Sequence, residues 1–522
     1  MPQTLPLLRG KELTYSAARE EEVNIVHQLG YHAKQIRFFA YLRDRRDWMR
    51  AIVSHHLCLP SVACQVATEE NWLHGSYNVC VPVTISCWNK KRVLIRFPLP
   101  YRIGEAFRPG NGDEKIRCEA GTYAWLQENC PDVPIPKLYG FALSTGETFS
   151  RLENFPIVPR YLQIFRRHAL SLLGYPIPSN YVRHPVPNHI TLDGIGSTGY
   201  LLIEFIEEAQ GTMLSDTWTD GKDDVKLRGN LFRSLSRILL SMSRISLPRI
   251  GSFAIDNSGF LHLANRPLSI EIQELENENI PTDIPRDYTY STADSYIIDL
   301  LSIHDSRLKH QPNALKDLGD FAYQLSALSA MRTVFTSFFH RDFRRGPFSF
   351  TLTDLHQSNI FVDAQWNITC LVDLEWACSR PIEMLRPPYW LTNKGVDQLV
   401  WAEYNSIRME FMEILAGEET KIRASTRPVD SRNVLPYSLT EVMNRTWATG
   451  TFWYTLALSS PSGLFSIFHK QIRPLFCPEI YGQEFNLIMP FFWEKDIGNI
   501  VRLKTSHKKK YDEDLRRAFE DS

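Results

Sequence analysis

One stretch of the chain holds side chains whose types and spacing suit phosphoryl transfer. Thr353-Asp354-Leu355-His356-Gln357-Ser358-Asn359 runs into Ile360-Phe361-Val362, and Leu371-Val372-Asp373-Leu374-Glu375-Trp376 follows. Moving a phosphoryl group from ATP to a hydroxyl asks little of a protein. One carboxylate must orient the attacking hydroxyl and take its proton late, and oxygen ligands must hold Mg²⁺ against the β- and γ-phosphates. Asp354, then Asn359, then Asp373 on the next strand match that demand. Asp354 is expected in a loop beside the acceptor hydroxyl. Asn359 closes the loop as a metal ligand, and two short strands, 360–362 and 369–372, bring Asp373 back beside it. An ordinary Asp pKa of about 3.9 makes Asp354 a weak base. A loose transition state needs little early proton abstraction, so placement outweighs basicity. A lone Asp-x-x-x-x-Asn arises often by chance, and its weight here comes from Asp373 and from residues upstream.

Those residues need elements to position them. From Tyr77 the pattern has period two: Tyr77, Val79, Val81, Val83 and Ile85 alternate with Asn78, Cys80, Pro82, Thr84 and Ser86. That predicts a half-buried strand. Asn89-Lys90-Lys91 makes a polar turn, and Val93 to Phe97 reads as the returning strand. Ile116, Ala120, Tyr123 and Ala124 share one face of a helix over 113–127, starting near Gly112-Asp113. Residues 150–198 hold six prolines and predict an irregular insertion with one short helix near 161–172. Arg151, Arg160, Arg166, Arg167 and Arg183 make that insertion basic, and a solvated face is the expectation there.

Gly199 to Ile206 is an apolar run of strand length. After it helical patterns dominate, over 224–245, 291–340, 396–418 and 438–475, with a hairpin at 251–264 turning at Asn257-Ser258-Gly259. Residues 11–57 form a helical lead-in with apolar positions including Val23, Ile36 and Leu42, and the tail around Lys508 to Asp514 reads as a solvated helix end. Strands before about 206 and helices after it predict an α+β fold of two lobes joined at one crossover strand. The expected divisions are a helical extension at 1–69, a small lobe at 70–206 and a large lobe at 207–522.

Composition narrows the function. The chain has 522 residues, 43% hydrophobic and 22% charged, with formal net charge −1 and pI near 7.0. Such a chain buries a large core without staples. The charge balance gives no basic excess and so predicts no nucleic-acid partner. Nine cysteines and no Cys-x-x-Cys pair point to reduced thiols rather than disulfides or zinc. The first twenty residues show no apolar h-region, and no run approaches 18 apolar residues. A cytoplasmic protein with no membrane partner is expected, and its oligomeric state is open.

With these features in place, the sequence resembles the aminoglycoside phosphotransferase family, and most of all its large fungal branch. Thr353 to Asp363 with Asp373-Leu374-Glu375-Trp376 carries the likeness, along with Gly75-Ser76-Tyr77-Asn78, Val93 to Pro98, Arg102 to Phe107, Glu119, Pro134 to Tyr139, Tyr200 to Ile206 and Cys378 to Thr392. It spans roughly residues 70 to 400. The resemblance implies a bilobal protein-kinase-like fold, ATP and Mg²⁺ as cofactors and a small hydroxylated acceptor. It makes Asp354 the catalytic Asp and Asn359 and Asp373 the Mg²⁺ ligands. Gly75, Ser76, Tyr77 and Asn78 become the turn over the ATP phosphates. Arg96 stands where the family's phosphate-contacting Lys stands, with Glu119 as its helix partner. Glu204, Phe205 and Ile206 become the hinge that reads the adenine edge. Leu352 replaces the family's usual His two residues before the catalytic Asp. A guanidinium at 96 also differs from an ammonium in reach. Both departures support an alternative, a catalytically weak or inactive pseudokinase that binds nucleotide or a partner. His356 is expected to be structural.

Overall fold

The computed structural model describes residues 4–187, 198–425 and 437–520. An eight-stranded antiparallel sheet forms the first half. Its order is Cys64–Val66, Asn78–Ile85, Arg92–Pro98, Tyr200–Glu204, Leu138–Ala142, Thr148–Arg151 and Tyr181–Arg183, with Leu73–His74 paired to Asn78–Ile85 off this path. The strand that leaves for the helical half therefore sits in the sheet's interior, with Leu201 opposite Arg96 and Glu204 opposite Val93.

Val79, Val81, Val83 and Ile85 are buried as their alternation requires. The other face is covered too, because Asn78 and Pro82 are also buried. The insertion carries a longer helix than its prolines suggested, Ile157–Leu172; residues 188–197 of that insertion lie outside the described residues.

The segment before residue 70 is a structural layer of the sheet. Tyr31, Phe39, Leu42, Met49, Ile52 and Val53, from the helices Tyr31–Arg43 and Arg46–Leu57, share one core with Val79, Val81, Ile95, Phe97 and Leu202. The stripe expected there is shifted: Val23 and Ile36 are exposed.

The second half is mainly helical, with Val225–Ser243, Ala293–His310, Leu318–Val334, Trp401–Ser425 and Leu439–Ala448 among its helices. The hairpin forms from Ser252–Ile255 and Leu261–Asn265, with Gly259 at φ +86° in its turn. A small sheet joins Thr212–Met213, Ile360–Val362 and Ile368–Leu371. Gly211 has φ +143°, and a Cβ there would stand 2.8 Å from the Val362 carbonyl oxygen. Only glycine lets the chain come off the crossover strand so close to the strands flanking Asn359 and Asp373. The fold is α+β, with a smaller sheet-rich part and a larger helical part.

The two parts meet over more than the crossover. The helix Asn111–Asn129 is buried around nearly its whole circumference. A Cβ on Gly121 would collide with the Phe253 carbonyl, and Trp125 lies 4.3 Å from Phe350, centroid to centroid. Glu114 on the same helix takes a two-pronged pair from Arg266, with both contacts at 2.8 Å. Arg266 also holds Glu276.

The C-terminal tail docks where a solvated end was expected. Tyr511, Leu515 and Phe519 of the helix Ile497–Glu520 pack on Ala18 and Ile25, and the Tyr511 hydroxyl accepts from the Ile25 amide at 3.0 Å. Leu515→Ala is expected to cost about 2–5 kcal/mol locally. Hydrogen-exchange mass spectrometry should then show faster exchange over residues 15–29, with the sheet strands unchanged.

Candidate active site

The loop after the strand Phe348–Leu352 is fixed by its own polar groups. Thr353 donates its amide at 2.8 Å and its hydroxyl at 2.7 Å to the Trp376 carbonyl. The Trp390 indole donates to the Leu355 carbonyl at 2.6 Å, and Gln357 donates to the Trp390 carbonyl at 3.3 Å. His356 accepts from the Ser358 amide through Nδ1 at 3.2 Å. Its ring works as a turn cap, 3.8 Å from Asp354. Leu352 ends the strand opposite Ala377 and packs half-buried against the core. Bracing of this loop therefore falls to Thr353 and Trp390.

Asn359 is buried and its side-chain amide donates to Asp354, at 2.8 Å to the carbonyl and 3.5 Å to Oδ2. The Asn359 carbonyl accepts from the Val372 amide at 3.0 Å. That bond sets Asp373 beside Asn359, as the paired strands Ile360–Val362 and Ile368–Leu371 require. Asp373 has φ +57°, a left-handed conformation that Asp tolerates better than most residues. Non-glycine residues held there are concentrated at functional sites.

Arg96 reaches this group from the sheet. It is 3% exposed. One arm forms a close ion pair with Asp373, and the other meets Glu375 at 2.6 Å. Glu119 is farther, at 3.6 Å, and its two carboxylate oxygens find no hydrogen-bond donor. Lys115, one helical turn before Glu119, is fully buried. It forms a close ion pair with Glu375 and donates to Asn78 Oδ1 at 2.7 Å, while Asn78 in turn donates to Glu375 at 2.8 Å. Reasoning from the sequence missed Lys115. A signal existed: Lys115 and Glu119 are four apart, so they share a helix face, and a buried Glu119 takes Lys115 inside with it.

The other candidates divide. Tyr77 donates to Glu274 at 2.6 Å and lies edge-on to Trp376, which fastens the start of its strand to the helical half. Gly75 and Ser76 are exposed at the turn, closed by the Gly75 amide donating to the Asn78 carbonyl at 2.9 Å. The Ser76 carbonyl accepts from Arg102 at 2.9 Å. Glu204, Phe205 and Ile206 are half-buried where the crossover strand ends. Glu204 accepts from the Lys137 amide at 3.1 Å, and the Arg92 guanidinium lies 3.7 Å from the Phe205 ring centroid. Arg92 also pairs with Glu207. These side chains secure the crossover.

Charge decides what the site accepts. Asp354, Glu119, Asp373 and Glu375 are four carboxylates grouped around two cations, Arg96 and Lys115. Burial pushes Asp354 up to about 7, and Glu375 and Asp373 add to the shift. Burial likewise raises Glu119, only partly offset by Arg96. Burial also opposes ionisation of Glu375, but Lys115 and Arg96 outweigh it and hold that carboxyl well below the usual range.

With all four carboxyls ionised the excess over Arg96 and Lys115 would be two negative charges, which one Mg²⁺ would balance. Oxygen donors from Asn359 and Asp373 are of the hard kind Mg²⁺ takes. Among the described residues no three His, Cys, Asp or Glu side chains form a metal cage. Magnesium in nucleotide sites needs none, since one or two protein ligands and the phosphates complete its shell. The residues present fit a magnesium nucleotide.

Two predictions follow from these charges. Lys115→Met leaves Glu375 short of a cation in a dry site and is expected to destabilise the chain by about 3–5 kcal/mol, read from urea denaturation. Asp354 is a carboxyl whose folded pKa lies above its unfolded one, so the folded state binds the extra proton. Stability from this group therefore falls as pH rises from about 4 to about 7. In metal-free buffer Asp354→Asn should raise stability at pH 8 by roughly 1–2 kcal/mol, and the gain should shrink as pH falls and vanish below about pH 4.

No family model matches the sequence, and no curated protein matches it. Solved structures do align with the chain. A thermostable mutant of an aminoglycoside phosphotransferase, in ternary complex with AMP-PNP and hygromycin B, aligns at 9% identity and TM-score 0.35, covering 82% of this chain and 95% of that one. A Plasmodium vivax ethanolamine kinase aligns at 12% identity and TM-score 0.35, covering 96% of this chain and 99% of that one. A macrolide 2'-phosphotransferase from Brachybacterium faecium aligns at 10% identity and TM-score 0.31, covering 81% of this chain and 98% of that one.

Proposed function

We propose that the chain is an ATP- and Mg²⁺-dependent phosphotransferase of the kinase-like type, acting in the cytoplasm on a hydroxyl of a small molecule and related to the fungal branch of the aminoglycoside phosphotransferases. The observation that carries this is the meeting of Asp354, Asn359 and Asp373 at one place, under a strand that delivers Arg96. Mg²⁺ would supply charge neutralisation at the phosphates. Asn359 and Asp373 would hold it. Asp354 orients the acceptor hydroxyl and receives its proton as the bond to phosphorus forms. Its raised pKa suits that late acceptance better than an ordinary Asp would. Lys115 and Glu375 keep Arg96 aimed, and Asn78 ties the phosphate turn to the same group. Gly75 and Ser76 offer exposed backbone to the phosphates, and the chain at 204–206 offers backbone to the adenine.

One observation favours a second reading, a nucleotide-binding module without turnover. Arg96 covers one oxygen of Asp373 while Glu119 holds it only by a longer ion pair at 3.6 Å, without a hydrogen bond. In the enzyme, Arg96 must give up Asp373 for Glu119. In the module it stays.

The test is ATP consumption by the purified chain with Mg²⁺ across a panel of hydroxylated metabolites. Turnover with at least one acceptor is expected, abolished by chelation and restored by Mg²⁺, and lowered by about 10²–10⁴ in Asp354→Ala. Thermal stabilisation by Mg-ATP without turnover on any acceptor would favour the module. Neither stabilisation nor turnover would end both.

A further inference from the structure

The helix Ile157–Leu172 is built inside out. At 3.6 residues per turn, Gln163, Ile164, Arg167 and Leu170 share one face. That face is the half-buried one, turned to the protein, and there Arg167 donates to the Pro178 carbonyl. The opposite face holds Val158, Tyr161, Leu162, Phe165, Leu172 and Leu173, the spacing of a core stripe. It faces water: Tyr161, Leu162, Phe165 and Leu172 are 65% to 89% exposed, and the helix has no fully buried residue. Soluble proteins rarely leave a contiguous apolar surface of this kind uncovered.

Charge says what covers it. From Asn154 to Leu192 the sequence has no Asp or Glu, in a chain of net charge −1. Arg160, Arg166, Arg167 and Arg183 fall in this stretch, and the exposed Arg166 and His168 border the apolar stripe on its two sides. A second copy docked face to face would set Arg166 beside a surface whose own stretch offers no Asp or Glu to answer it. An anionic surface answers it.

We propose that this helix lies in the headgroup layer of an anionic phospholipid bilayer, its apolar face inserted and the bordering Arg166 on lipid phosphates. The expectation of no membrane partner rested on the lack of a spanning run. Among the described residues no helix is long and apolar enough to cross a membrane. A helix lying in the interface needs only an apolar stripe with basic flanks. Its place on the sheet, between the strands Thr148–Arg151 and Tyr181–Arg183, is the edge farthest along from Cys64–Val66. Binding there requires no change at Asp354.

The experiment is co-flotation of the full chain with phosphatidylcholine vesicles, with and without phosphatidylserine. Binding is expected only when phosphatidylserine is present, weakening as salt rises. Arg166→Glu should lower partitioning by more than the roughly fivefold expected for loss of one basic contact. Leu162→Ser with Phe165→Ser and Leu172→Ser should lower it by roughly a hundredfold or more. These substitutions are on exposed positions, so an unchanged melting temperature checks the fold. Absence of flotation with phosphatidylserine vesicles overturns the proposal. So does a concentration-dependent dimer that the triple variant abolishes while vesicle binding is lacking, which would make a second copy the occupant. Equal binding to neutral vesicles also overturns it, because the charge argument would then be void.

Discussion

Glu375 is the centre on which the site is hung. Arg96 from the sheet, Lys115 from the helix Asn111–Asn129 and Asn78 from the strand after the turn at Gly75 and Ser76 all end on its carboxylate. Three elements that are remote in sequence are thereby pinned to the segment carrying Asp373. A carboxylate this buried is unstable without such partners, since each ion's desolvation costs several kcal/mol and only close pairing returns it. The same dryness makes the remaining charges expensive. Burial raises Asp354 and Glu119, and the neighbouring carboxylates add to the shift. The site thus carries more carboxyls than cations.

The second constraint is mechanical. The helix carrying Lys115 and Glu119 does not belong to the sheet-rich part alone. Gly121 lets its backbone lie against Phe253, Trp125 packs between Phe253 and Phe350, and Glu114 closes on Arg266. Tyr77 adds a tie to Glu274. A boundary near residue 206 is a boundary of composition. In packing, the helix Asn111–Asn129 spans it. Large relative motion of the two parts would break buried ion pairs as well as apolar contacts. Adjustments within the cleft, such as Arg96 exchanging one carboxylate for another, are cheaper.

The termini and the insertion show how a local pattern is reused by packing. Helical pattern at both ends was legible, and so was a short helix near 161–172. Which face met protein was not. The tail helix buries Tyr511, Leu515 and Phe519 against the N-terminal helices, whereas the insertion helix turns its apolar stripe outward. Periodicity reports that a face exists, and only the neighbouring chain decides what it touches.

The sequence by itself determined a local arrangement: Asp354, Asn359 and Asp373 in order, on a loop and two short strands, after a sheet and among helices. It could do so because those contacts are local, and turn chemistry and strand alternation act over a few residues. The pairing of Arg96 with Glu375 and Asp373 ahead of Glu119, the entry of Lys115, and the handover of loop bracing from position 352 to Thr353 and Trp390 were decided by tertiary structure alone. Those partners lie tens to hundreds of residues apart. A buried charge takes whichever counter-charge the fold brings nearest, and no spacing along the chain records that distance.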